Sequence, residues 1–168
     1  MYVDYKIPKP ASIRGYILHR MVMDLTKGQP AIFADEGSSL VIRTEHKIDA
    51  PCTPVKAFND GEISAFELRA CVSKKRKGKH IYLPTTDWQA RRAWLAAQGE
   101  THGFEPLTHH STSKMVSIND GQERTFKVDQ TDFTGILRVI DAQKFHKALT
   151  TGVGSTARTF GFGMVIVE

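Results

Sequence analysis

The sequence predicts an α+β protein whose two halves repeat one order of strands and helices. Three observations predict it. Apolar runs of period 2 and of period 3.6 succeed one another along the chain. Turn signals rich in glycine, proline and Asn-Asp-Gly separate them. The length, 168 residues, suits one compact unit or two small ones sharing a core.

Taken in order, YVDYKI (2–7) reads as a short strand closed by Pro8 and Pro10. Ser12 is set to cap a helix running to about Thr26, with Lys27-Gly28 as its stop. AIFAD (31–35) and SLVIRTE (39–45) form a strand pair across EGSS. KIDAPCTPVKAFNDGE (47–62), with two prolines and Asn59-Asp60-Gly61, reads as loop with one short helical turn at most. ISAFELRACV (63–72) is a strand whose mixed phase implies cover on both faces.

In the second half HIYLP (80–84) is a strand, and Thr85–Gln98 a helix with Asp87 in its first turn and Gly99 after it. FEPLTHH (104–110) is a strand, and KMVSI and TFKVD flank Asn119-Asp120-Gly121-Gln122 as a hairpin. FTGILRVI (133–140) is a strand, Asp141 caps a helix to about Thr150, and FGMVIVE (162–168) is the last strand. Each half approximates β-α-β-β-(α)-β, so a tandem pair of ferredoxin-like (RRM-like) βαββαβ folds is expected, in residues 1–72 and 73–168. That fold is compatible with many functions.

Composition narrows the classes. The chain is 40% hydrophobic and 24% charged, a globular balance. No apolar run approaches the ~20 residues of a membrane span, and MYVDYKIPKPAS has neither an apolar core nor a cleavage site, so a cytoplasmic protein is expected. Cys52 and Cys71 lack CxxC spacing and read as reduced thiols, with no zinc site to be assembled. A net charge of +5 attracts polyanions.

Three stretches are candidates for function. On the first helix Ile13, Ile17, Leu18, Met21, Val22 and Leu25 make an apolar arc at 100° per residue, leaving Ser12, Gly15, Tyr16, His19 and Met23 on the free side. Tyr16 and His19, three apart, are neighbours there. A lone helical histidine is commonly structural. A tyrosine beside it, small residues before it and a basic chain make the pair a candidate site.

The second stretch, SKKRKGKH (73–80), places Lys74, Lys75, Arg76, Lys77 and Lys79 within six residues. It reads either as a phosphate-binding loop or as a solvated one. The third is the ending TTGVGSTARTFGFGMVIVE. A dinucleotide fingerprint needs its glycines between a strand and a following helix. Here a helix precedes the glycines and a strand follows, and no Gly-Lys-Ser/Thr tail marks a P-loop, so no nucleotide cofactor is expected. What remains is backbone with little side-chain cover, plus Arg158, open to a phosphate chain. Other catalytic sets are absent: there is no GxSxG or HExxH, and adjacent His109 and His110 face opposite ways on a strand. Asp129 and Asp132 read as capping or solvated residues, and no metal cluster is expected.

Together these features resemble the CasE-type CRISPR repeat-processing endoribonucleases. FTGILRVIDAQKFHKALTTGVGSTARTFGFGMVIV (133–167) is similar to that family's closing strand, helix and glycine loop. GYILHRMVMDL (15–25) is similar to its Tyr-x-x-His helix, and PVKAFNDGEISAFELRA (54–70) through KGKHIYLPT (77–85) to its Gly-turn and basic strands. Arg69-Ala70-Cys71-Val72 stands where the family often has Arg-x-Asn-Pro.

The resemblance implies metal-free cleavage of precursor RNA by internal 2′-OH attack, with Tyr16 and His19 catalytic and His19 acting as base or as acid. It implies products ending in a 2′,3′-cyclic phosphate and a 5′-OH, and no cofactor. RNA contacts are expected from Lys74, Lys75, Arg76, Lys77, Lys79, Lys114, Arg124 and Arg158, and from the backbone at Gly152, Gly154 and Gly161. The implied partners are the CRISPR repeat stem-loop and other subunits of a type I or type IV effector. The alternatives are a noncatalytic RNA-binding subunit of the same fold and a metal-dependent nuclease. The glycine loop is expected to pack near the Tyr16–His19 helix.

Overall fold

The computed structural model describes residues 1–168, apart from the side chains of Lys74, Lys75, His80 and Tyr82. In the first half, β1 (Val3–Pro8), β2 (Ala31–Asp35), β3 (Ser39–Thr44) and β4 (Cys52–Pro54) form an antiparallel sheet in the order β2-β3-β1-β4. The alternating apolar residues of these strands, Tyr5, Phe33, Leu40 and Ile42, face α1 (Tyr16–Leu25), which buries Leu18 and Val22 against them. No second helix forms, and Ile48 from the loop after β3 completes this core.

In the second half, β5 (Ile63–Ala70), β8 (Phe104–Asn119), β9 (Thr125–Val139) and β10 (Val165–Val167) form a sheet in the order β10-β5-β9-β8. Between β5 and β8 come a separate hairpin, β6 (Ser73–Arg76) with β7 (Lys79–Tyr82), and the helix α2 (Trp88–His102). α3 (Ala142–Thr151) precedes a single 3-10 turn, Arg158–Phe160. Leu95 of α2 and Phe145, Ala148 and Leu149 of α3 pack on Phe66, Leu68, Phe133 and Leu137. Asp87 and Asp141 cap the two helices, each accepting a backbone N–H at 3.0 Å and so satisfying an otherwise unpaired donor of the first turn.

Within each sheet the strands lie in the order fourth, first, third, second, so the α+β arrangement of two ferredoxin-like folds is the observed one. Several elements depart from expectation. Residues 63–70, assigned on sequence to the first unit, pair with β9 and β10 and belong to the second sheet. Their phase is one-sided rather than mixed: Ser64, Phe66, Leu68 and Ala70 are buried, while Ile63, Ala65 and Glu67 are exposed. The fourth strand of the first sheet is instead Cys52–Pro54, inside the proline-rich stretch that read as loop. HIYLP supplies one side of the detached β6–β7 hairpin, not a sheet strand.

β8 and β9 are continuous where two breaks were expected. Asp129, expected as a capping or solvated residue, is fully buried, as is Thr131. Arg91 of α2 forms an ion pair with Asp129 and donates to Thr131 Oγ1 at 3.1 Å. That satisfied polar network lets polar residues occupy the middle of a strand. Asp132 pairs with Arg69 at 2.7 Å. α1 starts at Tyr16, not near Ser12, and its Ile17 is 66% exposed, outside the expected apolar arc. Gly99 is interior to α2, where a Cβ would meet the backbone of Phe104, and Gly103 ends the helix.

The halves are joined by buried polar contacts. Arg43 of β3, 1% exposed, forks onto Asp4 at 2.7 Å and donates to the carbonyls of Leu149 and Val165 at 2.8 and 2.9 Å. Arg69 reaches back across the join, donating to Asp35 O at 2.9 Å. Among the described residues no helix is long and apolar enough to cross a membrane.

Candidate functional site

α1 is anchored by its Leu18–Val22 stripe, and this fixes where the rest of its surface points. Tyr16 and His19 lie off that stripe. Both are half-buried, with ring centroids 6.0 Å apart and planes tilted by 43°. Gly15 precedes them with φ 67 and ψ −134, a conformation open to glycine and strained for other residues. No side chain caps this helix N-terminus and no acidic residue stands in its first turn. The positive end of the helix dipole is therefore left without a carboxylate near the tyrosine.

Two elements of the second half close on this helix. The first is the β8–β9 tip: Gly15 abuts Ile118 and the Asn119 carbonyl, and the Tyr16 ring lies against Gly121. The second is the 3-10 turn Arg158–Phe160, which packs on α1. The expected adjacency of glycine loop and Tyr-x-x-His helix is thus present. A small apolar cluster of Cys71, Ile118, Val128 and Phe162, with Phe126 and Phe160 ring to ring at 5.6 Å, ties tip and turn together.

The expected RNA-contact residues divide into groups. Arg124, exposed, is at the tip, its carbonyl accepting from Asp120 N at 3.1 Å. Lys114, also exposed, lies five residues before the tip, about 17 Å along the strand. Arg76, Lys77 and Lys79 are exposed at the end of the β6–β7 hairpin, and the side chains of Lys74 and Lys75 lie outside the described residues. The base of that hairpin is held on both sides. Ser73 Oγ is 3.3 Å from Thr156 Oγ1 in the glycine loop, and Arg91 donates to the Pro84 carbonyl at 2.6 Å. The base of the basic hairpin therefore contacts the same loop that touches α1.

The glycine loop differs from the bare backbone surface expected. Gly152, Gly161 and Gly163 are buried and Gly154 is half-buried. Their missing side chains make room for protein: a Cβ would meet the Arg158 guanidinium at Gly152, the Trp94 ring at Gly154 and the Phe33 ring at Gly161. Arg158 is half-buried and folded onto this loop, and burial holds its guanidinium below the ordinary arginine value.

Sequence reasoning missed Arg20. It is exposed, and a hydrogen bond with the Tyr16 hydroxyl, aided by the charges of Tyr16 and Asp24, raises its pKa. Spacing could have found it, because residues four apart on a helix are neighbours. The site thus combines a phenol, an imidazole and exposed cations around a helix N-terminus, a set able to hold a phosphodiester and move protons beside it. Among the described residues no group of three His, Cys, Asp or Glu side chains comes together as a metal site would require.

Solved structures share this architecture. A Thermus thermophilus Cse3 bound to an RNA representing a pre-cleavage complex superposes with a TM-score of 0.83 at 20% identity, covering 99% of this chain and 98% of that one. The CRISPR-associated protein Cas6e from Escherichia coli K-12 gives 0.78 at 20% identity, covering 100% and 99%. A chain of the E. coli Cascade bound to a PAM-containing double-stranded DNA target gives 0.67 at 18% identity, covering 100% and 99%. A search of curated protein sequences returns no match. A family model described as CRISPR associated protein matches residues 43–168, three quarters of the sequence. The chain belongs to the CRISPR-associated protein family that this model describes.

Proposed function

We propose that the chain is an endoribonuclease that cuts CRISPR precursor RNA within its repeat and stays bound to the repeat stem-loop in an effector complex. The observation that carries this reading is the Tyr16–His19 pair, half-buried on α1 between the β8–β9 tip and the 3-10 turn. The likeness to Cse3 bound to RNA and to a Cascade chain supports the substrate class and the partner subunits.

In this reading a ribose 2′-OH attacks the adjacent phosphate. The new O–P bond displaces the 5′-oxygen of the next nucleotide, leaving a 2′,3′-cyclic phosphate and a 5′-OH. One proton leaves the attacking hydroxyl and one arrives at the departing oxygen. Histidine, with an ordinary pKa of ~6.5, can serve either end, and such positioned transfer contributes roughly 10²–10⁴-fold. Tyr16 hydrogen-bonds the phosphate, and Arg20 beside it balances the charge that builds on the phosphorane oxygens. Arg76, Lys77, Lys79, Arg124 and Lys114 grip the stem backbone, with Lys74 and Lys75 added from the same hairpin. Helical RNA is recognised largely through its phosphates, 2′-OH groups and shape. The glycine loop and Arg158 shape the wall against which the stem lies.

The test is a repeat RNA with a single 2′-deoxyribose before the scissile phosphate, incubated with purified protein in EDTA. The unmodified RNA is expected to be cut and the deoxy RNA to be bound but left whole. Undiminished cleavage of the deoxy RNA would sink internal attack. Tight binding with no cleavage of either RNA would leave a noncatalytic RNA-binding subunit.

A further inference from the structure

The β8–β9 tip does more than turn the chain. Gly121 has φ +83, and a Cβ built on it would overlap Cδ1 and Cε1 of Tyr16 and lie 2.7 Å from Cγ. The ring therefore lies on the glycine itself, at a separation that no L-residue with a side chain permits. The tip that carries Gly121 is braced from within. Gly121 N donates to Asn119 Oδ1 at 2.7 Å, Gln122 N to Asp120 Oδ1 at 2.9 Å, and Asp120 N to Arg124 O at 3.1 Å. His19 neighbours the same ring, 6.0 Å away between centroids, and Arg20 lies one helical turn along from Tyr16. The phenol thus sits where its own helix meets the β8–β9 tip of the other half of the molecule.

We infer that Gly121 is a positioning residue for the reaction: its bare Cα is the stop that fixes the Tyr16 ring, and with it the hydroxyl, against the scissile phosphate. The inference rests on the nuclease reading of Tyr16. It makes catalytic geometry depend on the docking of the second half onto α1, because only the β8–β9 hairpin brings Gly121 there.

Gly37 offers a matched control. It too has φ +83, in the turn between β2 and β3, but nothing lies within 4 Å of a Cβ placed on it. Both alanines would sit at φ +83, and only Gly121→Ala disturbs a catalytic ring. The experiment measures single-turnover cleavage and affinity for a labelled repeat stem-loop RNA, using Gly121→Ala, Gly37→Ala, Tyr16→Phe, and Tyr16→Phe combined with Gly121→Ala. Gly121→Ala is expected to slow cleavage about tenfold or more with affinity within about twofold, and Gly37→Ala to leave the rate within about twofold. In the Tyr16→Phe background Gly121→Ala is expected to cost less than about twofold further, because residues acting through one group are not additive.

Equal slowing by both alanines, a loss confined to affinity, or full additivity with Tyr16→Phe overturns the inference. Failure of the underlying reading is distinguishable: His19→Ala then cuts as fast as the unaltered protein, whatever Gly121→Ala does.

Discussion

The first sheet consists of strands three to six residues long under one ten-residue helix, whereas the second contains strands of 15 and 16 residues under two helices. The smaller half holds Tyr16 and His19. The larger half holds the exposed cations of both hairpins, and its buried Arg91–Asp129 pair joins α2 to β9. The two meet through Arg43, through Phe33 against Gly161, and through Gly121 against Tyr16. The difference teaches a division of labour. On the proposed reading, one half carries the reacting groups on a short helix, and the other, with the larger core, sets their geometry and holds the polyanion.

The sharpest way to break that division is to separate cutting from gripping. His19→Ala is expected to slow cleavage of repeat RNA by roughly 10²–10⁴-fold with little change in affinity. A parallel loss of affinity, read by filter binding, would place the histidine in the grip instead. At the join, Arg43→Ala strands the Asp4 carboxylate and the Leu149 and Val165 carbonyls. It is expected to destabilise the protein by about 3 kcal/mol in urea unfolding. A single transition moving as one would show the halves unfolding together, and a second transition left in place would show them independent.

The converse of His19→Ala is the triple change Arg76→Ala, Lys77→Ala and Lys79→Ala on the β6–β7 hairpin. Affinity should fall, and the slope of log K against log salt should become shallower by about 0.7–0.9 for each cation that touches phosphate. Cleavage of saturating RNA should be little changed. An unaltered salt slope would remove this hairpin from the interface.

The smallest effect expected concerns His109. Burial first, then the charges of Arg92 and His110, hold its imidazole below the ordinary value. The folded state thus favours the neutral ring. That contribution to stability is complete above about pH 6.5, the unfolded value, and is lost as pH falls through the depressed folded one. His109→Gln should therefore narrow the difference in Tm between pH 7.5 and pH 5. An unchanged difference would assign the acid sensitivity elsewhere, His102 being the first alternative because burial, and then Arg158, lower it too.

Local chemistry was legible in the chain. Asp141 before an amphipathic helix, Asn119-Asp120-Gly121 between two β runs, and Tyr16 three residues before His19 each act over a few residues, and each is found where the pattern put it. The helix start was misplaced because Ser12 looks like a cap while the chain bends at Gly15 instead. The break expected within β9 was wrong because the partner that satisfies Asp129 is Arg91, far away in sequence.

The sequence by itself determined the tandem ferredoxin-like class, most of its strands and helices and the adjacency of Tyr16 and His19, since periodicity, capping and helical spacing are set within a few residues. Only the tertiary structure decided which sheet takes Ile63–Ala70, that the terminal glycines are filled by Arg158, Trp94 and Phe33, and that Gly121 lies on the Tyr16 ring. These are contacts between residues far apart in the chain. Their geometry depends on how two closed cores dock, which no local pattern encodes.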